Sequence, residues 1–230
     1  SSQKIHREFR TMPVVLIATL DTKGHELAFV QQRLHAAGVA TCVVDTGCLG
    51  VPQIPADISR ERVFTAAGTT LTDMLQRQDR GQAVTLAAVG VARIVTDLHV
   101  AGQLQGVLSL GGSAGTTIGT AAMRALPLGV PKVMVSTLAA GQTRPFVGGK
   151  DIFLLNPVVD IAGLNRISRA VLSNAAGAMI GMVQQPLPSV PQTDKPLIAA
   201  TMFGVTTPCV EHARRLLEMA GYEVLVFHAT

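Results

Sequence analysis

Gly106-Val-Leu-Ser-Leu-Gly-Gly-Ser-Ala-Gly-Thr-Thr117 decides how this chain reads. Val107, Leu108 and Leu110, with the small Ser109 between them, suit a short buried strand. Gly111, Gly112, Ser113, Ala114, Gly115 and Thr116 then turn into a helix carrying Ile118, Ala121, Ala122, Ala125 and Leu126. The unpaired N–H groups of a helix's first turn, together with the helix dipole, favour an anion at such a turn. Glycine lets a phosphate approach the backbone, and the hydroxyls of Ser113 and Thr116 add donors. A plain strand-to-helix turn is the competing reading; the density of glycines and hydroxyls favours phosphate.

Composition sets the surroundings of this turn. The 230 residues are 48% hydrophobic and 15% charged, with seven Phe, one Tyr and no Trp. A core of Val, Leu, Ile and Ala is what a parallel sheet covered by helices requires. The net charge of +4 is spread thinly, with no Lys/Arg-rich run, so nucleic acid is not an expected partner. Cys42, Cys48 and Cys209 have no CxxC spacing and read as reduced thiols of a cytoplasmic protein. No uncharged apolar run reaches the roughly 20 residues of a membrane span, so no membrane association is expected.

Working outward, residues 14–19 form an apolar strand followed by a loop, Leu20-Asp-Thr-Lys-Gly24. A helix over 25–37 and a strand over 39–45 complete a βαβ unit. Asp57 or Ser59 caps a helix running to Ala67. Residues 70–101 read as helical, broken or kinked near Gly81 and Gly90. The apolar centre of that stretch, 83–94, is either deeply buried or packed on another subunit. A strand over 132–137, a long loop over 138–150 and, after residues 151–155, a helix over 160–183 follow; Asp160 reads as the cap of that helix and Asn165 as a mid-helix residue. The proline-rich 185–195 reads as a linker.

Residues 196–230 repeat the plan of residues 14–46: Ala200-Thr201 matches Ala18-Thr19, and Ala220-Gly-Tyr222 matches Ala37-Gly-Val39. The expected organisation is a polar extension over 1–11, disordered or left from cloning, with Met12 as a natural start. A nucleotide-binding α/β domain follows over 12–184, and 196–230 begins a second similar domain that stops after one βαβ unit. The alternative is that these last strands join the first sheet.

Several runs in combination now carry a resemblance. They are Ala18-Thr-Leu-Asp-Thr-Lys-Gly-His-Glu26, Asp79-Arg-Gly81, Leu110-Gly-Gly-Ser-Ala-Gly-Thr116, Leu126-Pro-Leu-Gly-Val-Pro-Lys-Val-Met-Val-Ser-Thr137 and Val159-Asp-Ile-Ala-Gly-Leu-Asn165. Over residues 12–230 the chain resembles the ATP-binding family related to the tomato mosaic virus resistance protein of plants. That resemblance implies two Rossmann-like α/β domains, ATP bound by the first, a homodimer and a protein partner. It also implies that Asp21, Thr22 and Lys23 form one wall of the nucleotide site and residues 112–116 the other. Physical chemistry supports these positions, because open α/β sheets bind ligands at the carboxyl ends of their strands. Lys23 offers phosphate a point cation, and Asp21 offers Mg²⁺ a hard oxygen ligand. Thr137 and the loop after it are placed to cover a ligand, as alternatives to a plain surface loop. Arg60 and Arg80 are the weaker candidates. Arg60, a cation in a first helical turn, reads as exposed rather than as a phosphate contact, and Arg80 as a solvated mid-helix charge.

Other nucleotide signatures are missing: there is no GxxxxGK[ST], and Asp-Thr-Lys replaces GxGxxG after the first strand. The letters Gly111-x-Ser113-x-Gly115 also fit a nucleophile elbow, whose histidine would be His212 or His228. Three readings therefore stay open: an Mg·ATP-binding protein, an enzyme acting on a phosphorylated or acyl substrate between two domains, and an interaction module with ATP as a structural ligand.

Overall fold

The structure is a computed structural model that describes residues 12–77, 79–185 and 195–229. The chain divides into two compact units, Ser1–Gln185 and Pro186–Thr230. The expected extension over 1–11 and nearly all of the expected linker lie outside the described residues.

The first unit is a Rossmann-like α/β fold. Its five parallel strands are β1 (Val14–Ala18), β2 (Thr41–Asp45), β3 (Gly106–Gly111), β4 (Lys132–Ser136) and β5 (Phe153–Leu155), in the order β2-β1-β3-β4-β5. Every residue of β1 is buried, because both faces of the sheet are covered. Side chains alternate across a strand, and the core divides accordingly. Val15 and Ile17 pack with α2 (Arg60–Ala66), α4 (Arg80–Val100) and α5 (Ser113–Ala125). Val14, Leu16 and Ala18 pack with α1 (Leu20–Ala36) and α7 (Arg166–Gln184). The short helices α3 (Leu71–Arg77) and α6 (Arg144–Val147) complete the unit.

Two helix starts and one expected break differ from the sequence reading. Helix α1 begins at Leu20, so Asp21, Thr22 and Lys23 lie in its first turn and not in a loop. The break expected near Gly81 is present and falls at Asp79, whose Oδ1 accepts the Gln82 N–H at 3.0 Å, while the one expected near Gly90 is not. Gly90 lies inside an unbroken α4. The last helix of the unit starts at Arg166. Its cap is Asn165, whose Oδ1 accepts the Ile167 and Ser168 N–H groups at 2.9 and 3.0 Å and whose own N–H donates in return to Ser168 Oγ at 2.8 Å. This is a capping box; Asp160 instead lies in the preceding segment.

Helix α4 is long and apolar enough to span a membrane by length and composition alone. Its residues Ala83, Ala87, Gly90, Val91, Ile94 and Val95 are buried in contact with α2 and α5, so it is a core helix of this unit.

In the second unit β6 (Leu197–Met202) and β7 (Glu223–His228) pair in parallel as a sheet of their own, with α8 (Thr207–Met219) between them. The alternative that these strands extend the first sheet is therefore not met. No residue of α8 is buried, as expected of a lone βαβ unit that cannot cover both its faces.

Candidate functional site

A cavity of about 320 Å³ opens at the carboxyl ends of β1, β2 and β3. It is the crevice that strand order dictates. From β1 the chain passes through α1 on one face of the sheet, and from β3 through α5 on the other, so the two loops diverge and leave a gap.

The first turns of α1 and α5 both reach this gap. Neither N-cap residue, Thr19 or Gly112, makes a side-chain capping bond. In α5 the Thr116 N–H returns to the Gly112 carbonyl at 2.8 Å; the N–H groups of Ser113, Ala114 and Gly115 precede any helical acceptor. The Leu20 N–H at the start of α1 is instead held by Asp45 Oδ1 at 3.0 Å.

Asp21, Thr22, Lys23, Arg80, Gly111, Gly112, Ser113, Ala114 and Gly115 all line the cavity. Lys23 Nζ also donates to the Ile161 carbonyl. Arg80 is exposed at the first position of α4, not mid-helix, and contributes the second cation. The Asp21 carboxylate holds the opposite loop: its Oδ2 accepts the Leu49 and Gly50 N–H groups at 3.0 and 3.1 Å. Burial pushes the Cys48 thiol above its ordinary value, and the Asp21 charge adds to the rise; Cys48 is thus a neutral wall of the cavity.

Three candidates stand elsewhere. Thr116 is buried, with its hydroxyl 2.7 Å from Ser136 Oγ, so it braces α5 against β4. Thr137 lies beside the cavity, bordering a second hollow with Asn156 and Asp160. Arg60 is buried, not exposed, and its Nε donates to Asp45 Oδ2 at 2.7 Å. Among the lining residues that the sequence reading missed are Thr46 and Asp160. For Thr46 a signal existed: it directly follows β2, on the side where open α/β sheets bind ligands.

Among the described residues no group of three or more His, Cys, Asp or Glu side chains could hold a metal. Mg²⁺ needs no such group, since it is held by one or two carboxylates together with substrate phosphates and water. Asp21 and Asp160 are the carboxylates that line the cavity, so the donor set suits a cation that arrives with a phosphate ligand.

An open parallel sheet flanked by helices, with a crevice at the carboxyl ends of its strands, defines a Rossmann-like α/β protein. Residues 12–188 match the model described as Uncharacterised protein family (UPF0261) N-terminal domain, and residues 195–230 match its C-terminal domain. The chain belongs to this family. A UPF0261 protein of Clostridium tetani is 48% identical over 217 residues, covering 94% of this chain and 54% of the relative. UPF0261 protein mlr3387 of Mesorhizobium japonicum is 44% identical, covering 94% and 53%. The ToMV resistance protein Tm-1(GCR237) of Solanum lycopersicum is 36% identical, covering 94% of this chain and 31% of the relative. The chain thus spans about half the length of the bacterial relatives it matches.

Proposed function

We propose that the first unit binds a nucleotide, Mg·ATP, with its phosphates at the N-terminus of α5 and its charge met by Lys23 and Arg80. One observation carries the reading: the α5 N-terminus, which has no side-chain cap, and the first turn of α1 reach a single cavity that two cations also line. The partial positive charge of helix N-termini and free N–H groups is what a phosphate ligand needs. Asp21 and Asp160 leave the cavity's side chains balanced in charge, so a triphosphate enters best with a divalent cation.

Calorimetric titration of ATP with and without Mg²⁺ tests the proposal. The expected result is micromolar affinity. Lys23→Ala, folded by circular dichroism, should weaken binding about tenfold or more, the worth of one charged hydrogen bond. The absence of binding by any nucleotide to the folded chain would overturn the reading.

A cytoplasmic location, a homodimer and a protein partner belong to the same proposal. Helix α4 buries one face and leaves Val89 and Val100 exposed, which suits self-association. Light scattering should return twice the chain mass; a monomer at high concentration removes that part.

A further inference from the structure

The end of β2 carries an acid, Asp45. In dinucleotide-binding α/β proteins an acidic residue in this region bonds the ribose hydroxyls. Here the carboxylate is turned to the protein. Its Oδ1 accepts the Leu20 and Gly47 N–H groups at 3.0 and 2.8 Å, and its Oδ2 accepts Arg60 Nε at 2.7 Å. The residue is 1% exposed.

Thr46, the next residue, has the opposite character. Its backbone is fixed, with the N–H donating to the Ala18 carbonyl at 3.0 Å. It is 3% exposed and lines the cavity beside Gly47 and Cys48. Its Oγ1 is buried and has no hydrogen-bond partner among the described residues. Buried hydroxyls are nearly always bonded, and one that is not marks a place where something else supplies the bond.

The position of Thr46 identifies that group. Strand β2 neighbours β1, and β1 neighbours β3. A nucleotide whose phosphates lie in the β1/β3 crevice carries its sugar across β1 towards β2. Its base then reaches the apolar side chains Leu49, Ala83 and Val84 of the same cavity. A threonine hydroxyl both donates and accepts, which matches a sugar hydroxyl.

We infer that Thr46 is the ribose-binding residue of this site and gives it a preference for ribonucleotides over deoxyribonucleotides. The inference rests on the nucleotide reading above. It is tested by titrating ATP, 2′-deoxy-ATP and 3′-deoxy-ATP into the wild type, Thr46→Ser and Thr46→Val. The wild type should bind ATP about tenfold more tightly than one of the deoxy analogues, a single buried hydrogen bond's worth. The analogue that loses affinity names the hydroxyl. Thr46→Ser should keep the preference. Thr46→Val, which keeps the shape, should weaken ATP binding and bind ATP and that analogue equally. Equal wild-type affinity for all three nucleotides overturns the inference and leaves the nucleotide reading standing, as does a Thr46→Val variant that keeps the preference. No binding of any of the three to the folded wild type overturns both.

Discussion

The Asp45 carboxylate and the Arg60 guanidinium meet at 2.7 Å with their side chains 2% and 7% exposed. Arg60 Nη1 also donates to the Gly50 carbonyl at 2.7 Å. One buried pair therefore joins the end of β2, the start of α2 and the loop that walls the cavity. Removing one partner from a buried pair strands the other charge. Arg60→Met should cost about 3–5 kcal/mol in urea unfolding. The double variant Asp45→Asn/Arg60→Met should recover part of that loss, because no charge is left buried. A single variant within about 0.5 kcal/mol of wild type would put Arg60 in solvent, where the sequence alone places it.

Gly112 offers a sharper handle on the anion site. As N-cap of α5 it has φ −79° and ψ −153°, a backbone that other residues adopt readily, and a Cβ there would have Thr137 Oγ1 as its neighbour at 3.8 Å. Aspartate is among the best N-caps and complements the helix dipole. Gly112→Asp should therefore hold or raise stability, by about 0.5 kcal/mol. The same carboxylate occupies the anion's place, so ATP affinity should fall more than tenfold. Unchanged affinity in a stabilised variant would remove the phosphates from α5.

How much of this was legible in the sequence depends on what each signal measured. The strand around Val15 declared itself by an unbroken apolar run and that around Leu108 by apolar residues interrupted only by the small Ser109, since burial on both faces admits little else, and the turn at residues 111–116 by its glycines. Gly24 and Gly90 misled, because glycine also serves packing. A Cβ on Gly24 would sit 2.8 Å from Gln53 Cβ, inside the first turn of α1; the residue read as a loop glycine is one that admits the Gln53 loop. Arg60 misled because an isolated cation in a first turn reads as solvated until its carboxylate, 15 residues away, is seen beneath it. The cap at Asn165 was readable, since an Asn three residues before Ser168 forms a reciprocal box. Thr46 had position but no pattern, and only the fold gives a single hydroxyl an address.

The packing role of glycine makes its own prediction. A Cβ on Gly90 would lie 2.0 Å from the Val63 carbonyl oxygen and 2.9 Å from its carbon. Both atoms are backbone of α2, so α2 and α4 would have to separate. Gly90→Ala should cost about 3 kcal/mol or more, or prevent folding. Gly177, exposed within α7, has nothing within 4 Å of its notional Cβ. Gly177→Ala should stabilise by about 0.5–1 kcal/mol, the propensity difference in an exposed helix. Thermal melts of the two variants should therefore move in opposite directions. Equal shifts would mean that α2 and α4 are not in contact at Gly90.

Lys132 opens β4 with its side chain wholly buried, donating to the Pro127 and Val130 carbonyls at 2.7 and 2.8 Å and to Asp151 Oδ1 at 2.8 Å. Partial burial raises the Asp151 pKa, but hydrogen bonds from Lys132 and the Gly129 N–H, with the Lys132 charge, outweigh it and hold the carboxyl below its ordinary value. A carboxyl whose folded value is depressed stabilises the fold above its unfolded value, near 3.9, and loses that contribution as pH falls through the folded value. Asp151 is 43% exposed, so solvent screens the pair. Asp151→Asn should cost about 1 kcal/mol at pH 7 after that discount. Urea midpoints of wild type and Asp151→Asn should converge as the pH drops below about 4. A gap that stays constant down to pH 2 would assign the loss to hydrogen-bond geometry, with no contribution from the ion pair.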